Sequence, residues 1–581
     1  MGDIRYSKAA TNLCARDRIL TAAAPALFAF KAAYLPETDS VVADCQQDLW
    51  LTIFFDGTGN NEKIDAPTFE HSNVSRLHRA HLLDDDAVGR YRIYVPGIGT
   101  PFREIGDAGG SVDMIGGRDG EPRLQWAMKE IERRIKVAEA RARNPTNKIR
   151  SINIALFGFS RGAALARAFA LRIQEKCCAD NPRGVGRLWD HKHPTRLYFM
   201  GLFDTVAAVG LSAGARRAVS QYPVASAALA SSPLGAIPVL VASNADGHSV
   251  WASDLRIPAM VEQCVHYCAA HEIRNSFPLD TVLEEGAYST NCTEVVYPGV
   301  HSNVGGGYRP GEGGRNASRF AMLSLVPLKT MYDQAIKAGV PLVDINTADA
   351  RIKHDFVPTA RDDIAARNEL SERFNHYMTT VGWGGKPVGQ LFSDHMRMYF
   401  RWRIVHVGRK LSADEHGRSN REERRIQAYD DALAAEREAK QAELERLDNA
   451  RVGALGTRRY DALRWDVIMQ NARVNTMPSD AESLIAALDK YDRQFIDDSN
   501  EVLRADLDEL RPFHRVLREA WEMPWLTDAK IIAFFDEYVT DSLAGFDTDL
   551  TRATDPRRLY QGGDATVDYA ALKQARQSQV A

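Results

Sequence analysis

The stretch IRSINIALFGFSRGAALARAFALRIQEK, residues 149–176, decides the fold of this chain. Its first part, Ile149–Phe157, is rich in β-branched and apolar side chains and predicts a buried strand. Gly158–Gly162 predicts a sharp turn, and Ala163–Lys176 has the small apolar composition of a helix that packs on the preceding strand. A strand that leads through a short turn into a helix is the repeating unit of α/β proteins.

Ser160 lies at the centre of this turn, in the pattern G-x-S-x-G. A serine hydroxyl is a poor nucleophile unless it is exposed, oriented and placed beside a base. Gly158 and Gly162 would let strand and helix approach closely, which is the arrangement of the nucleophile turn in α/β hydrolases. A chance pentapeptide is the alternative, but the strand and helix on either side favour Ser160 as the nucleophile.

Other segments repeat the alternation of strand and helix. Leu49–Phe55, Arg90–Val95 and Leu197–Phe203 predict strands, and residues 121–143 carry apolar side chains at helical spacing. Short strands that alternate with helices predict an α/β fold with a mainly parallel sheet and helices on both faces.

The length of 581 residues exceeds what one compact core usually holds, so we expect two regions. We assign 1–400 to an α/β-hydrolase-like catalytic domain and 401–581 to a mostly helical C-terminal region. Within the latter, the charged segment Arg409–Arg451 predicts a solvated helix or helical hairpin, and residues 480–545 also have helical spacing.

A triad in an α/β hydrolase follows the chain order serine, acid, histidine. Asp204 directly follows the strand Leu197–Phe203, at the carboxyl edge of the expected sheet. His301 follows a short apolar strand and opens a glycine-rich loop, so it could reach over Ser160. Three other histidines are alternatives for this role. His266 and His271 lie in a segment whose sequence predicts a helix, and His395 lies near the end of the predicted catalytic domain.

An acyl-transfer site also needs backbone amides that stabilise the oxyanion. Arg161 directly follows the nucleophile and is expected to supply one amide from the helix N-terminus. The loop Asp56-Gly57-Thr58, which follows the strand Leu49–Phe55, is expected to supply the other, with Asp56 and Gly57 as the first candidates.

Composition excludes several classes of function. The net charge of −4, from 73 basic and 77 acidic side chains, gives no reason to expect a nucleic-acid partner. Seven cysteines without paired spacing predict reduced, buried thiols. Cys264 and Cys268 would share one face of a helix beside His266, but this spacing does not match a structural zinc site. We therefore expect neither a metal nor another cofactor.

Seven motifs follow one another in order between residues 54 and 308. They are FFDGTGNN (54–61), SNVSRL (72–77), YVPGIGT (94–100), GFSRGA (158–163), GLFDTV (201–206), AHEIR (270–274) and PGVHSNVGGGY (298–308). Together they resemble the Tle1-like family of type VI secretion phospholipase effectors, which is built on the DUF2235 α/β-hydrolase domain. The resemblance implies a triad of Ser160, Asp204 and His301, the same residues that the chain order predicts.

The resemblance also implies a biological role. It implies phospholipase A activity on the acyl esters of glycerophospholipids, with the phospholipid membrane as substrate, and use as an antibacterial toxin. It further implies a VgrG-like spike protein and a cognate immunity protein as partners. Residues 1–32 lack the pattern of a cleaved signal peptide, so we expect synthesis in the bacterial cytoplasm and type VI delivery into the periplasm of a target cell.

Two positions depart from the family pattern. Asn303 stands where the family often has aspartate after the His-Ser pair. Thr540 stands where the segment YVTDSLAGF (538–546) resembles a His-Asp-Ser segment of related proteins. The second departure removes a C-terminal histidine as a triad candidate and favours His301.

Two other readings remain open. The protein could be an esterase or acyl transferase that acts on soluble esters, or an interaction protein that keeps the hydrolase scaffold without activity. A rise in activity above the micellar threshold of a substrate would separate the lipolytic enzyme from a soluble-ester enzyme.

Residues 212–250 form a candidate lid or membrane-contact insertion, rich in small residues and carrying apolar ones such as Leu229 and Leu240. An insertion packed on the core is the alternative. If the segment is a lid, deletion of residues 212–245 should reduce hydrolysis of bilayer lipid much more than hydrolysis of a soluble short-chain ester. Equal losses on the two substrates would reject the lid.

Overall fold

The structure is a computed structural model of the chain. It describes residues 46–110, 120–142, 148–178, 187–207, 250–382 without 275 and 285, 386–412, 421–541 without 476 and 509, 554, 557–561 and 565–567. The candidate lid, residues 212–250, lies outside the described residues apart from its last position.

The described strands form one large sheet and two small ones. Their bounds are β1 Gln47–Phe55, β2 Arg90–Val95, β3 Ile149–Phe159, β4 Leu188–Trp189, β5 His193–Phe203, β6 Cys264–Ala269, β7 Leu279–Thr281, β8 Leu283–Glu284, β9 Ala287–Tyr288, β10 Cys292–Tyr297, β11 Leu559–Gln561 and β12 Ala565–Val567. In the large sheet the order is β10-β6-β5-β3-β1-β2 with every neighbouring pair parallel, and β4 pairs antiparallel with β5. The mainly parallel sheet predicted from the sequence is confirmed.

Helices surround this sheet and dominate the second half of the chain. Their bounds are α1 Glu62–Asp65, α2 Asn73–Ala80, α3 Gly120–Arg141, α4 Arg161–Cys178, α5 His301–Gly305, α6 Leu325–Ala338, α7 Ala350–Phe356, α8 Arg361–Val381, α9 Val388–Ser412, α10 Arg421–Gly453, α11 Tyr460–Asn475, α12 Ala481–Arg504, α13 Pro512–Glu522 and α14 Ala529–Tyr538. None of the described helices is both long and apolar enough to cross a membrane.

Both faces of the large sheet are buried, which explains why its strands are almost continuously apolar. Along β1, Leu49, Leu51 and Ile53 belong to a core shared with α3 and α4. Phe54 belongs to a second core on the opposite face, shared with α2, α6 and most of the C-terminal helices. Alternate residues of a strand point to opposite faces, so one strand serves both cores. A three-layer α/β arrangement, with the sheet between two layers of helices, follows from this burial.

One local prediction from the sequence is wrong. The segment with Cys264, His266 and Cys268 reads as helical in the sequence, but it is the buried strand β6. Strands buried on both faces lack the polar alternation that usually marks a strand, so the run CVHYCA (264–269) carries no periodic signal. In a strand the three side chains share one face because they are two residues apart.

The C-terminal region is mostly helical, as expected, and it is continuous with the α/β part. The helix α9 runs through residue 400, where the sequence suggested a boundary, and one hydrophobic core joins residues of both regions. The helices α10 and α11 pack as a hairpin, in which Gln470 donates a hydrogen bond to the carbonyl oxygen of Lys440 over 2.9 Å. Near the end of the chain, β11 pairs in parallel with β7 of the α/β part.

Candidate active site

The carboxyl ends of the parallel strands meet at one edge of the sheet, as in other α/β folds. Phe55 ends β1, Phe159 ends β3 and Phe203 ends β5. Asp56, Ser160 and Asp204 follow these three strands directly. The sequence pattern and the sheet topology therefore bring the three predicted segments to the same edge.

Ser160 has the backbone conformation of a nucleophile turn. Its φ of 58° lies in the left-handed region, which non-glycine residues rarely adopt, and such strain concentrates at functional sites. Its amide donates to the carbonyl oxygen of Phe203 over 3.0 Å, and its own carbonyl accepts from Val206 over 3.2 Å. These bonds attach the turn to the segment that begins at Asp204.

The two glycines of the pattern are required by close packing. A β-carbon on Gly162 would lie 2.3 Å from the carbonyl oxygens of Phe55 and of Asp56, and one on Gly158 would lie 2.5 Å from the α-carbon of Ala163. Since backbone atoms cannot move aside as a flexible side chain can, only glycine fits at either position. The start of α4 is thus pressed against the end of β1.

His301 and Asp204 form a buried pair. Nδ1 of His301 lies 2.6 Å from Oδ2 of Asp204, and neither side chain is more than 5% exposed. The His301 ring packs against Phe159, the residue before Ser160, with ring centroids 4.6 Å apart, and against Phe277 at 4.9 Å. The imidazole is therefore held beside the serine turn by aromatic contacts and by the carboxylate.

The three competing histidines have other partners. Nδ1 of His266 lies 2.7 Å from a carboxylate oxygen of Glu294, and Nε2 of His271 lies 3.0 Å from the hydroxyl of Tyr377. His395 contacts the same hydroxyl through Nδ1 at 2.8 Å. Among the four candidates, His301 is the one that contacts Asp204.

Arg557 also contacts Asp204, and sequence reasoning missed it. Its Nη1 and Nη2 donate to Oδ2 and Oδ1 of Asp204, each over 2.7 Å, and the amide of Ala269 donates to Oδ1 over 2.7 Å. Although burial alone would raise it, the charge and hydrogen bonds of Arg557, followed by those of His301, hold the pKa of Asp204 well below its usual range. No motif marks Arg557, which lies 353 residues after Asp204 in the chain.

The backbone of His301 is fixed by a second buried ion pair. The His301 amide donates to Oε2 of Glu272 over 3.1 Å, and Glu272 is paired through both oxygens with Arg274 over 2.8 Å. The guanidinium of Arg274 lies 3.7 Å from the centroid of the Phe277 ring, which packs on His301. Burial lowers the pKa of His301, and the adjacent Asp204 opposes this effect.

The loop after β1 has two amides that are already hydrogen-bonded. The Asp56 amide donates to the carbonyl oxygen of Val95 over 3.0 Å, and the Gly57 amide donates to Oδ1 of Asp56 over 2.7 Å. By contrast, the amides of Thr58 and Arg161 make no hydrogen bond within the part of the chain that the structure describes. Nε of Arg161 donates to the Thr58 hydroxyl over 2.7 Å and so links the two segments.

The carboxylate of Asp56 holds this loop together. Its Oδ1 accepts a hydrogen bond from the hydroxyl of Ser72 at the N-terminus of α2, and its Oδ2 accepts one from Tyr94 near the end of β2 over 2.5 Å. Burial raises the pKa of Asp56 to about 6, against the opposing effect of the hydrogen bonds from Ser72 and Tyr94. The aspartate of the first motif therefore shapes the loop through its side chain.

The two departures from the family pattern contact each other. Oδ1 of Asn303 accepts from the Thr540 amide over 3.1 Å, and Nδ2 of Asn303 donates to the Thr540 hydroxyl over 3.2 Å. Asn303 also accepts from the Val300 amide over 3.2 Å, at the start of α5. An uncharged amide and hydroxyl thus join the helix that begins with His301 to the C-terminal region.

A cluster of potential metal ligands lies beside Thr205, the residue after Asp204. Ligand atoms of His266, Cys268 and Glu294 lie within 4.8 Å of one another. Both ring nitrogens of His266 already have hydrogen-bond partners. Nδ1 contacts Glu294, and Nε2 accepts from the Thr205 amide over 3.0 Å. Since both ring nitrogens are occupied, this cluster supports the residue after Asp204 and does not resemble a metal centre.

The packing at Gly162 leads to a testable prediction. Gly162→Ala should destabilise the protein by about 1–3 kcal/mol because the methyl group overpacks the backbone of β1. It should also slow the labelling of Ser160 by a fluorophosphonate about 100-fold, because the serine turn must shift. Thermal unfolding and labelling kinetics measure the two effects.

Gly453→Ala is the matched control, because a β-carbon at this helical position meets nothing within 4 Å. We expect wild-type labelling and unchanged or slightly higher stability for this variant. Wild-type stability and labelling in Gly162→Ala would contradict the close packing described above.

Two solved structures resemble this chain to different degrees. One of the solved structures to which the chain is similar is that of an uncharacterized protein from Pseudomonas aeruginosa. The TM-score is 0.61 and the identity is 24%, over 90% of this chain and 80% of that chain. The other is the structure of the Tle1 effector bound to the VgrG spike from the Type 6 secretion system. The TM-score is 0.37 and the identity is 19%, over 61% of this chain and 85% of that chain. The first likeness supports the fold alone, and no curated protein matches the chain.

The family match is more specific than the structural likeness. The description "T6SS, Phospholipase effector Tle1-like, catalytic domain" matches residues 50–191 and 186–334. This span contains all seven motifs and the predicted residues Ser160, Asp204 and His301. Residues 50–334 of the chain therefore match the catalytic domain of the Tle1-like T6SS phospholipase effectors, the family that the seven motifs resemble.

Proposed function

We propose that the protein is a serine hydrolase that cleaves acyl esters of glycerophospholipids, as a phospholipase of the A type. The observation that carries the proposal is the buried contact of 2.6 Å between His301 and Asp204 beside the strained turn of Ser160. This is the arrangement that activates a serine hydroxyl. The match of residues 50–334 to a phospholipase effector family supports the choice of a lipid substrate.

In the proposed mechanism, His301 is the general base. Its Nδ1 donates to the ionised Asp204, which leaves Nε2 free of a proton in the neutral ring. Nε2 takes the proton from Ser160 as the serine oxygen attacks the acyl carbonyl carbon of the lipid. The resulting imidazolium is stabilised by Asp204, which stays ionised because of Arg557.

The oxyanion of the tetrahedral intermediate then needs two amide donors. The amide of Arg161 is one, as the sequence suggests. For the other we propose Thr58 in place of Asp56 or Gly57, because both of the latter amides are already hydrogen-bonded. The link between Arg161 and the Thr58 hydroxyl would keep the two donors at a fixed separation.

Collapse of the intermediate completes the first half of the reaction. The ester carbon–oxygen bond breaks, His301 returns its proton to the leaving lysophospholipid alcohol, and the acyl group stays on Ser160. Water then attacks this acyl-enzyme with His301 again as base, and a fatty acid leaves. No cofactor is needed to balance either half of the reaction.

The family also supports a proposal about biological context. We propose that the protein is a toxin delivered by the type VI apparatus into the periplasm of a competing bacterium, where phospholipid membranes are accessible. A VgrG-like spike protein would carry it, and a cognate immunity protein would protect the producing cell. Both partners are implied by the family and are tested by co-purification with each candidate.

Ser160→Ala tests the enzymatic proposal. The variant should lose fatty-acid release from phosphatidylcholine or phosphatidylglycerol vesicles by at least about 1,000-fold, because the proposed acyl-enzyme forms on the Ser160 hydroxyl. It should also lose toxicity when directed to the periplasm. Release is measured by mass spectrometry of the free fatty acid and the lysophospholipid.

Ser318→Ala is the control, since Ser318 contacts Asp363 at a distance of 3.3 Å and lies outside the proposed site. Wild-type lipid hydrolysis in Ser160→Ala would reject the serine mechanism. Activity that is confined to soluble esters, without a rise above the micellar threshold, would favour the soluble-ester enzyme. A wild-type protein without either activity would favour the interaction protein.

The pH dependence gives a second test. Only the neutral imidazole can accept the proton of Ser160, and burial lowers the pKa of His301 below its ordinary value of 6.5. The acid limb of the kcat/KM profile should therefore have its midpoint below pH 6.5, with activity retained as pH falls through that value. A midpoint at or above pH 6.5 on a stable substrate would contradict the assigned role of burial.

A further inference from the structure

The carboxylate of Asp204 is more fully coordinated than a triad acid needs. Each of its two oxygens accepts two hydrogen bonds: Oδ2 from His301 and Arg557, and Oδ1 from Arg557 and the Ala269 amide. Asp204 and Arg557 are 0% and 1% exposed. A bidentate pair of this kind, removed from water, is both strong and geometrically demanding.

The position of Arg557 is set from both sides. Its Nη2 donates to the carbonyl oxygen of Ala269 over 2.7 Å, in addition to Asp204. The carbonyl oxygen of the next residue, Arg558, accepts from the Leu279 amide over 2.9 Å, where the parallel pairing of β11 with β7 begins. The guanidinium therefore has little freedom to leave the carboxylate.

The strand β7 is itself tied to the loop that follows Asp204. The Asp280 amide donates to the carbonyl oxygen of Thr205 over 2.9 Å, and Oδ2 of Asp280 accepts from the Ala207 amide over 3.1 Å. Through these bonds, the C-terminal strand, β7 and the Asp204 loop form one hydrogen-bonded unit. A residue near the end of the chain is thus built into the centre of the candidate site.

We propose that Arg557 is a positioning residue of the active site, which fixes the Asp204 carboxylate for His301 and balances its charge so that His301 remains a neutral base. This inference rests on the proposed serine mechanism and goes beyond the region matched by the family, which ends at residue 334. It gives the C-terminal region a part in positioning the catalytic residues that its helices do not reveal.

Charge balance explains why an arginine is useful here. Without Arg557, the uncompensated charge of Asp204 would raise the pH at which the His301–Asp204 pair loses its proton. At a given pH, His301 would then be the neutral base in a smaller fraction of the molecules. Other charged or titratable groups that face the pair are already compensated or neutral: Glu272 and Arg274 pair with each other, and burial raises the pKa of the Cys268 thiol well above its usual value.

The test compares Arg557→Gln with Arg557→Lys in the full chain, using a short-chain diacyl phosphatidylcholine below its micellar concentration. Arg557→Gln should lower kcat about 100-fold with little change in KM, because the acid is misplaced while the lipid site is intact. Its acid limb should move up by about one pH unit as the His301–Asp204 pair binds a proton more tightly. Arg557→Lys keeps the positive charge but cannot donate to both carboxylate oxygens as the guanidinium does. Its kcat should therefore fall about tenfold, while the acid limb of its pH profile stays unshifted.

Arg558→Gln is the matched control, since the neighbouring Arg558 side chain is exposed, and it should behave as wild type. Wild-type kcat and an unshifted acid limb in folded Arg557→Gln would overturn the inference. If that variant does not fold, wild-type kcat in Arg557→Lys would overturn it instead. Ser160→Ala is measured in parallel: if it stays active, the serine mechanism fails, whereas an inactive Ser160→Ala beside a wild-type Arg557→Gln rejects only the role of Arg557.

Discussion

One buried negative charge, on Asp204, constrains the rest of the site. A carboxylate withdrawn from water is very costly unless several donors surround it. Here the donors come from three distant parts of the chain: His301, the Ala269 amide at the end of β6, and Arg557. The sheet edge, the helix α5 and the C-terminal strand must therefore all be in place before Asp204 can be ionised and buried.

The second constraint on the site is the close approach of backbone segments to the Phe159 ring. A β-carbon on Gly57 would lie 2.4 Å from the Phe159 ring, and one on Gly305 would lie 1.9 Å from it. The ring also stacks against His301. The first motif, the serine turn and the histidine helix thus meet on one aromatic side chain. This contact gives a physical reason for Gly57 and Gly305, which belong to two motifs that are far apart in sequence.

The sequence predicted the principal strands at the sheet edge and the helices that follow them, because long buried strands and amphipathic helices have strong local patterns. It misjudged β6, whose residues are buried on both faces and so carry no alternation. For the second oxyanion donor it indicated the loop Asp56-Gly57-Thr58, with the amides of Asp56 and Gly57 as the first candidates. Which amides a loop leaves unpaired depends on partners such as Val95, and those are known only once the strands are aligned.

The sequence by itself determined the parallel α/β architecture, the turn at Ser160 and the order of Asp204 and His301, because each depends on short-range pattern or on chain order. The tertiary structure decided which histidine contacts Asp204, how Asn303 and Thr540 meet, and that Arg557 reaches the centre of the site. These are contacts across 97, 237 and 353 residues. Such contacts form only when the chain folds. A buried charge is tolerated only if folding brings a compensating group beside it, and the local sequence does not show which distant group this will be.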